Sequence, residues 1–410
     1  MGLLSANEAA AALGVSLATL YAYVSRGLVR SEPESAGSRR RRYRAEDVAA
    51  LRQRKAERRD PAKVAEAALH FGMPVLDSAI SVIVADRLYY RGREATRLAI
   101  ECTIEDVAAL LWGAAAADEA GRGRAEEPFA DDVLELSAAT WKSLARVAAG
   151  IPPLERLQLI LPAAAAADSS AFDLRPAAMR RTGARILRIL AAGVAGGTPD
   201  DRPVARSLAR AWKHSSSAVA EHLDAAMILC ADHDLNVSTF TARCAASAGS
   251  SPYGVVVAGL AALRGFRHGG MTERVEALFD EAATPKAARG VLEARLRRGE
   301  GLPGFGHPLY RGPDPRAALL LDRAIRRRNS PATAVVRALV EAARDLTAEA
   351  PNIDFGLVAL ARVVGLPPGA PLQLLALGRT VGWIAHAIEQ VADGRLIRPR
   401  ARYVGAPPQS

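Results

Sequence analysis

The 410-residue chain exceeds the usual size of one hydrophobic core, so two or three domains are expected. It is rich in alanine, leucine, arginine and glutamate, and only 5% of its residues are aromatic, which favours a mostly α-helical protein. Three cysteines without a Cys-x-x-Cys pair indicate reduced thiols and a cytoplasmic protein. No signal peptide is recognisable, and no window approaches the ~20 uncharged apolar residues of a membrane span, so no membrane association is expected.

The net charge of +10 is unevenly distributed, and residues 1–60 form a basic module. Ser5 is expected to cap a first helix that ends at Gly14, and Ser16 to cap a second helix over Leu17 to Ser25. Two short helices joined at a glycine are typical of a helix-turn-helix. A strip of arginines then leads into a third helix.

The stretch ANEAAAALGVSLATLYAYVSRGLV, followed by RRRRYRAEDVAAL, resembles the winged helix-turn-helix of the MerR-like and excisionase-like families. The resemblance implies that the second helix enters the major groove of DNA with Thr19, Tyr21 and Tyr23, while a basic wing meets the phosphates. The wing arginines are Arg39, Arg40, Arg41, Arg42 and Arg44. Arginine forks match phosphate oxygens, and each neutralised phosphate releases counterions. A helical adaptor whose arginines face solvent is the alternative.

A domain boundary is expected near Arg58 to Lys63. Residues 77–113 then begin with a β-branched, apolar run that predicts a strand or hairpin. They turn at Arg91-Gly92 and become helical behind a capping box of Thr103 and Asp106.

Helices and loops alternate through the middle of the chain. Ala114 to Phe129 is expected to be a loop or insert, and the low-complexity run Ala163 to Ser170 is assigned no function. A glycine-rich turn separates the last two predicted helices. The predicted helices are Val133–Ala149, Leu154–Leu161, Pro176–Ala192 and Val219–Ala231.

Glycine- or proline-broken loops in the second half of the chain hold histidines. His233 is flanked by Asp232 and Asp234 after an apolar helix, which suggests an imidazole held by its neighbours at a helix end. His268 lies in the glycine-rich break GFRHGG, and His307 lies in GLPGFGHPLYRGPDPR. Such shaped loops on a rigid scaffold are where binding groups tend to lie.

Asp354, in NIDFG, places a carboxylate in an apolar setting, which costs free energy unless the group is hydrogen-bonded or catalytic. Cys230 and His233 have a Cys-x-x-His spacing, with Cys244 nearby. Zinc needs three or four ligands, and the chain offers no second closely spaced pair. No metal site is therefore predicted.

The series ADHDLN, RHGG, GFGHPLYRGPDPR, NIDFGLVAL, LGRTVGWIAH and IRPRARYVG resembles the citrate synthase family, as does the upstream ISVI, LYYRG and TIEDVAALLWG. The resemblance covers roughly residues 71–406. It implies a nearly all-helical homodimer in which each chain has a large domain at 61–267 plus 361–410 and a small domain at 268–360. It also implies condensation of acetyl-CoA with oxaloacetate to give citrate and CoA.

The resemblance further implies a role for individual residues. The implied catalytic residues are His268, His307 and Asp354. The implied dicarboxylate-binding residues are His233, Arg316, Arg379 and, donated across the dimer interface, Arg398. Arg311 is implied near the phosphates of CoA.

These residue types suit the reaction by their own chemistry. A carboxylate such as Asp354 can remove a methyl proton next to a thioester. A neutral His268 can donate a hydrogen bond to the enolate oxygen, and His307 can act as the acid beside the ketone. Arginines can clamp a dicarboxylate through paired hydrogen bonds, which lysine does poorly. The reaction requires no metal or further cofactor.

One departure from the family pattern lies beside His268. Most citrate synthases read Gly-Pro-Leu-His-Gly there, whereas this chain has Phe266 and Arg267 in place of proline and leucine. A 2-methylcitrate synthase that uses propionyl-CoA is therefore an alternative, because one methylene changes binding by only ~1–3 kcal/mol in an apolar pocket. A transcriptional regulator that uses a citrate synthase-like domain as a metabolite sensor is the alternative from another class.

Overall fold

Helices make up most of the described chain, which confirms the mostly α-helical prediction. The computed structural model describes residues 3–26, 28–33, 41–48, 51, 76–113, 126–129, 138–148, 150–326 and 330–406. By its internal contacts the chain divides into two units, Met1–Asp77 and Ser78–Ser410. The boundary predicted near Arg58 to Lys63 lies outside the described residues.

The first unit contains the predicted helix-turn-helix. Ser5 closes a capping box at the start of α1 (Ala6–Leu13), and Gly14 ends this helix in the left-handed conformation with a φ of 61°. Ser16 caps α2 (Leu17–Ser25) by accepting a hydrogen bond from a main-chain N–H of its first turn. Both caps and both helices are where the sequence predicts them.

A small antiparallel sheet and a compact core complete the first unit. Its strands are β1 (Leu3–Leu4), β2 (Ser31–Pro33) and β3 (Arg41–Arg44), in the order β1-β3-β2. Residues 45–48 are helical, as predicted for the third helix. The core consists of Ala9, Ala10, Leu13, Leu20, Val29, Tyr43 and Val48.

The second unit begins with the predicted hairpin. Its strands are β4 (Ser81–Val84), β5 (Arg87–Tyr90) and β6 (Arg93–Glu94), which form one antiparallel meander. The chain turns at Arg91-Gly92 between β5 and β6, as predicted. Thr103 and Asp106 form the predicted capping box, which starts the second of the helices that follow.

The remainder of this unit is helical. Its helices are α3 (Ala95–Glu101), α4 (Ile104–Leu111), α5 (Glu126–Phe129), α6 (Ala138–Val147), α7 (Pro153–Ala167), α8 (Pro176–Ala195), α9 (Val204–Ala211), α10 (Ser217–Cys230), α11 (Val237–Ser247), α12 (Pro252–Leu263), α13 (Met271–Glu281), α14 (Pro285–Arg297), α15 (Pro315–Arg326), α16 (Pro331–Thr347), α17 (Ile353–Val364) and α18 (Ala370–Asp393). Among the described residues, no single helix is long and apolar enough to cross a membrane; α1 and α2 together reach that length and composition but are bent by 94°.

The middle of the chain differs from the prediction at one place and adds a helix at another. The loop expected over Ala114 to Phe129 lies outside the described residues except for its last four, and these form α5. Helix α9 lies in a stretch for which no element was predicted. Its buried face, which includes Val204 and Leu208, supplies the stabilisation through packing.

The run Ala163 to Ser170 also has more structure than its low complexity suggests. Helix α7 continues through Ala167, and the next residue, Asp168, is buried. The Asp168 carboxylate accepts hydrogen bonds from Arg185 Nη1 at 2.8 Å and from Tyr253 Oη at 2.9 Å. Asp168 therefore ties the end of α7 to α8 and α12.

Helices α10 and α18 are in direct backbone contact. A Cβ at Gly378 would lie 2.2 Å from the carbonyl oxygen of Met227, and one at Gly382 would lie 2.1 Å from that of Ala231. Any side chain at either position would force the helices apart. This close approach brings the C-terminal end of α10 against the middle of α18.

Candidate active site

His233 follows α10 and faces Tyr310. Its Nε2 lies 2.9 Å from the Tyr310 hydroxyl oxygen. The carboxylate of Asp232 points away from the His233 ring and lies 3.2 Å from Nε2 of His386. Asp234 is exposed, and its backbone is left-handed with a φ of 55°. The prediction that Asp232 and Asp234 hold the imidazole is therefore wrong, because this backbone directs both carboxylates away from the ring.

An aromatic cluster joins His233 to the loop that precedes α15. The ring centres of His233 and His307 lie 5.0 Å apart in an edge-to-face arrangement, and those of His307 and Tyr310 lie 4.9 Å apart. The guanidinium carbon of Arg316 lies 5.5 Å from the centre of the Tyr310 ring. Three residues of GFGHPLYRGPDPR thus meet around His233, and Tyr310 is one that the sequence did not predict for this site.

Arg316, in the first turn of α15, is held by a bidentate ion pair. Its side chain is only 2% exposed, and Nε and Nη2 donate to the two carboxylate oxygens of Asp314 at 3.0 and 2.8 Å. Asp314 also accepts the N–H of Ile353 at 3.0 Å, which connects this arginine to the start of α17. A guanidinium has five N–H donors, so further donors remain for an anionic ligand.

Asn352 connects the His307 loop to Asp354. Its N–H donates to the carbonyl oxygen of Gly304 at 2.8 Å, and its Nδ2 donates to that of Gly306 at 3.0 Å. Its Oδ1 accepts the N–H of Asp354 at 3.1 Å, as the cap of α17. Because one side chain holds both segments, the positions of His307 and Asp354 are coupled.

Asp354 has the electrostatics of a base. Burial raises the pKa of its carboxyl to about 7, and the positive charges of Arg316 and Arg379 limit that rise. It lies in the first turn of α17, one residue into the helix. A carboxylate with a pKa near the working pH is suited to take up a proton and to release it again.

His268 lies in a tight glycine turn before α13. Its N–H donates to the carbonyl oxygen of Gly265 at 2.9 Å, and a Cβ at Gly269 would come within 2.7 Å of a neighbouring carbonyl oxygen. Nε2 of His268 lies 2.8 Å from the hydroxyl oxygen of Ser238. Burial, together with the charge of Arg379, lowers the pKa of His268 to about 4, so the ring is neutral at pH 7.

His307 is also neutral, and its tautomer is fixed. The N–H of Leu309 donates to Nδ1 of His307 at 3.1 Å, so the proton of the neutral ring is at Nε2. Burial and the nearby Arg316 lower the pKa of His307 to about 4. This imidazole therefore presents an N–H donor at Nε2.

Arg379 is the common neighbour of these groups. It is buried on α18 and donates from Nε to the carbonyl oxygen of Cys230 at 2.8 Å. The positive charge of Arg379 lowers the pKa values of His233, His268 and Asp354. Burial holds the pKa of His233 well below its usual value, so the fixed positive charge of the site comes from arginines.

Arg311 and Arg398 differ from the buried Arg316 and Arg379 in being exposed. The side chain of Arg311 is exposed. The main-chain N–H of Arg311 donates to the carboxylate of Asp86, in the β4–β5 turn, at 2.9 Å. Arg398 is exposed in the segment after α18, where the N–H of Ile397 donates to Ser247 Oγ at 3.1 Å. Within the part of the chain that the structure describes, the Arg398 side chain makes no hydrogen bond or ion pair, so its contribution to a partner's site stays a prediction.

No metal-binding group is found among the described residues: no three His, Cys, Asp or Glu side chains lie together as ligands would. Cys230, considered above as a ligand, is fully buried, and burial raises the pKa of its thiol to about 12. A thiol that keeps its proton is a poor metal ligand.

The predicted DNA-binding residues are distributed over α2 and β3. On α2, Tyr21 is 52% exposed, whereas Thr19 and Tyr23 are half-buried. On β3, Arg41 donates to the carbonyl oxygen of Ser31, Arg42 is half-buried, and Arg44 pairs with Glu32 at 2.6 Å. Arg39 and Arg40 lie outside the described residues. DNA binding by these side chains stays a prediction.

The chain matches two sequence families. Residues 69–400 match the family described as "Citrate synthase, C-terminal domain", and residues 3–56 match "Helix-turn-helix domain". Both resemblances predicted from the motifs are confirmed.

Individual proteins extend this likeness. The chain is 38% identical over 197 residues to "Putative citrate synthase 2" of Mycobacterium tuberculosis, covering 46% of this chain and about half, 52%, of that relative. It is 30% identical over 360 residues to "2-methylcitrate synthase" of the same organism, covering 82% of this chain and 89% of the relative. The solved citrate synthase of Thermotoga maritima MSB8 superposes with a TM-score of 0.69 at 27% identity, over 83% of this chain and 96% of that one. The chain belongs to the citrate synthase family and carries a helix-turn-helix domain ahead of its citrate synthase part.

Proposed function

We propose that this protein condenses a short acyl-CoA with oxaloacetate. The first candidate is acetyl-CoA, which would give citrate and free CoA. The observation that carries the proposal is that Asn352 holds Asp354 and the His307 loop together, through hydrogen bonds of 3.1 and 3.0 Å. Burial also raises the pKa of the Asp354 carboxyl to about 7, while Arg316 and Arg379 limit that rise. Two neutral histidines accompany this base. A base, two neutral donors and fixed cations are the groups that the condensation needs.

In the first step Asp354 takes a proton from the methyl group of the acyl-CoA, and the electrons of that C–H bond move into the enolate. His268 donates an N–H to the enolate oxygen. In the second step the enolate carbon forms a bond to the ketone carbon of oxaloacetate, while Nε2–H of His307 gives its proton to the developing alkoxide. The proton held by Asp354 then restores the N–H of His307. Water adds to the carbonyl carbon of the citryl thioester, the C–S bond breaks, and CoA leaves as the thiol with one proton of the water, while the other proton passes to solvent.

The dicarboxylate is held by arginines and by His233. Arg316 and Arg379 supply positive charge, and the bidentate contacts that arginine makes suit carboxylates. Arg398 is exposed on the segment after α18, which suits donation to a second copy of this chain. We therefore include a homodimer, with Arg398 crossing the interface, in the proposal. Arg311, beside the β4–β5 turn, is proposed to contact the CoA phosphates.

We likewise propose two domains in this part of the chain. The large domain comprises 61–267 and 361–410, and the small domain comprises 268–360. In this arrangement His268 and Asp354 lie near the two boundaries. Closure about these segments would exclude water during the condensation step.

Release of free thiol tests the enzyme function. Purified protein is incubated with oxaloacetate and either acetyl-CoA or propionyl-CoA, and the ratio of the two kcat/KM values separates citrate from 2-methylcitrate synthesis. Asp354→Ala should abolish release, and Asp201→Ala, at an exposed carboxylate, is the matched control. Absence of thiol release from the wild type with both thioesters would overturn the proposal and favour a metabolite-sensing regulator.

For the first unit we propose DNA binding, favoured by its helix-turn-helix and the arginine-rich β3. Because phosphate contacts release counterions, affinity should fall steeply with salt. The test is a gel-shift titration of the full chain on genomic fragments at two salt concentrations, with Arg39 to Arg42 replaced by alanine. The substitution should weaken binding and flatten the salt dependence. Lack of a shift with any fragment would count against DNA binding.

A further inference from the structure

The hydroxyl of Tyr310 makes its hydrogen bond inside the proposed active site. Tyr310 is 6% exposed, and its hydroxyl oxygen lies 2.9 Å from Nε2 of His233. Among the described residues, no other side chain is hydrogen-bonded to the His233 imidazole. Packing against His307 limits how far the ring can rotate, and the Tyr310 hydroxyl fixes which way Nε2 points within that limit.

Tyr310 is itself fixed on both sides. Its ring lies 4.9 Å from the His307 ring and 5.5 Å from the guanidinium carbon of Arg316. The bidentate pair with Asp314 holds Arg316 in turn. One tyrosine is thus in contact with three groups that the proposed reaction uses: a dicarboxylate-binding histidine, the acid at the ketone and a carboxylate clamp.

The bond between Tyr310 and His233 persists over the physiological pH range. Burial raises the pKa of the Tyr310 hydroxyl to about 12, so the phenol keeps its proton, and burial keeps His233 neutral. Two neutral partners share one hydrogen bond without adding charge to a pocket that receives a dianion. The positive charge that attracts the ligand then comes from the arginines alone.

We propose that Tyr310 is a positioning residue, which orients His233 for the dicarboxylate through the Nε2 to hydroxyl hydrogen bond. The inference rests on the proposed function of the same site, because it takes oxaloacetate as the ligand of His233. It assigns Tyr310 to substrate binding and does not assign it to the methyl proton transfer at Asp354.

The test is Tyr310→Phe, which keeps the ring and removes the hydroxyl. Loss of one buried hydrogen bond predicts that KM for oxaloacetate rises about tenfold. Values of kcat and of KM for acetyl-CoA should stay within about threefold, because a lost ground-state contact changes mainly KM. Tyr253→Phe, which removes a buried hydroxyl bonded to Asp168, is the matched control and should leave both KM values unchanged.

A double-mutant comparison separates positioning from direct contact with the ligand. In a His233→Ala background, Tyr310→Phe should produce no further rise in KM for oxaloacetate, because the residue through which it acts is absent. A further tenfold rise would mean that Tyr310 touches the ligand itself and would overturn the inference. So would a Tyr310→Phe variant whose KM for oxaloacetate equals that of the wild type.

Calorimetric titration of oxaloacetate makes the test independent of turnover. If the wild type binds oxaloacetate but releases no CoA, the proposed function fails, while a tenfold weaker Kd of Tyr310→Phe still supports the inference. If Kd is unchanged in that variant, the inference is wrong, and the thiol-release assay alone decides the proposed enzyme function. Absence of oxaloacetate binding by the wild type overturns both.

Discussion

Ser238 Oγ lies 2.8 Å from Nε2 of His268 and 2.8 Å from Oδ1 of Asn236. Trp383 Nε1 donates to the same hydroxyl at 3.3 Å. A serine has one hydroxyl proton, so Ser238 can donate to only one of its two acceptors at a time. When it donates to His268, the neutral ring carries its proton at Nδ1 and can donate it to an enolate oxygen.

Replacement of this hydroxyl should therefore slow the chemical step. We expect Ser238→Ala to lower kcat about tenfold or more, because Nε2 of His268 loses this hydrogen bond, the ring is held less firmly and oxyanion stabilisation weakens. KM for oxaloacetate should change little. Steady-state kinetics measure both values, and Ser207→Ala, at a half-buried hydroxyl bonded to Asp200, is the control. A kcat equal to that of the wild type would show that Ser238 does not position His268 for catalysis.

The proposed role of Asp354 as the base predicts how the rate depends on pH. Only the carboxylate can accept the methyl proton, and burial raises its pKa to about 7. We expect kcat/KM to be constant above pH 7 and to fall about tenfold per pH unit below it, since this profile reports the free enzyme. His268 and His307, with pKa values of about 4, stay neutral in that range and add no second limb. An acid limb centred near pH 4 would contradict the assignment of Asp354 as base.

Local sequence pattern was sufficient for the elements whose cause is local. Ser5 and Thr103 cap helices because their side chains meet main-chain N–H groups three residues away, and both capping boxes are present. The motif residues His268, His307 and Asp354 are recognisable because glycine, proline or a helix start surrounds each of them. Their proximity depends on tertiary packing, which the order of the motifs does not contain.

The pairing of His233 shows where such reasoning fails. Asp232 and Asp234 adjoin it in sequence, yet its partner is Tyr310, which is 77 residues away. The left-handed backbone at Asp234 and the pairing of Asp232 with His386 on α18 decide the outcome. The useful signal was the presence of Tyr310 in the same glycine- and proline-rich loop as His307.

Two neighbouring carboxyls, Glu105, which is buried, and Asp224, which is half-buried, should make stability depend on pH. Asp224 accepts the N–H of Ile104 at 3.0 Å and Glu105 accepts that of Val204 at 2.7 Å, while Oε2 of Glu105 has no partner among the described residues. Burial, reinforced by the charge of Glu105, raises the pKa of Asp224 to about 8. The folded state therefore binds more protons than the unfolded state between about pH 4 and pH 8, and stability falls as pH rises through this range.

Asp224→Asn tests this dependence, because the amide oxygen can keep the bond to the N–H of Ile104 and no charge has to be buried. We expect the melting temperature at pH 8 to rise by about 2 °C or more, with little change at pH 4. Thermal unfolding followed by circular dichroism at several pH values measures both. Asp201→Asn, at an exposed aspartate, should behave like the wild type. An unaltered pH slope in Asp224→Asn would assign the dependence to other groups.

Arg267 is expected to act on the acyl-CoA side of the reaction. It is exposed next to His268, with its guanidinium carbon 5.6 Å from the ring of Phe266, which is 68% exposed. Acyl-CoA carries phosphates that arginine binds well, so Arg267→Ala should raise KM for acetyl-CoA about threefold to tenfold. KM for oxaloacetate should stay within about twofold, because we propose that Arg316 and Arg379 hold that ligand. Steady-state kinetics with each substrate varied in turn measure the two values, and Arg297→Ala, at an exposed arginine of α14, is the matched control. A parallel rise of both KM values would contradict a role confined to the thioester.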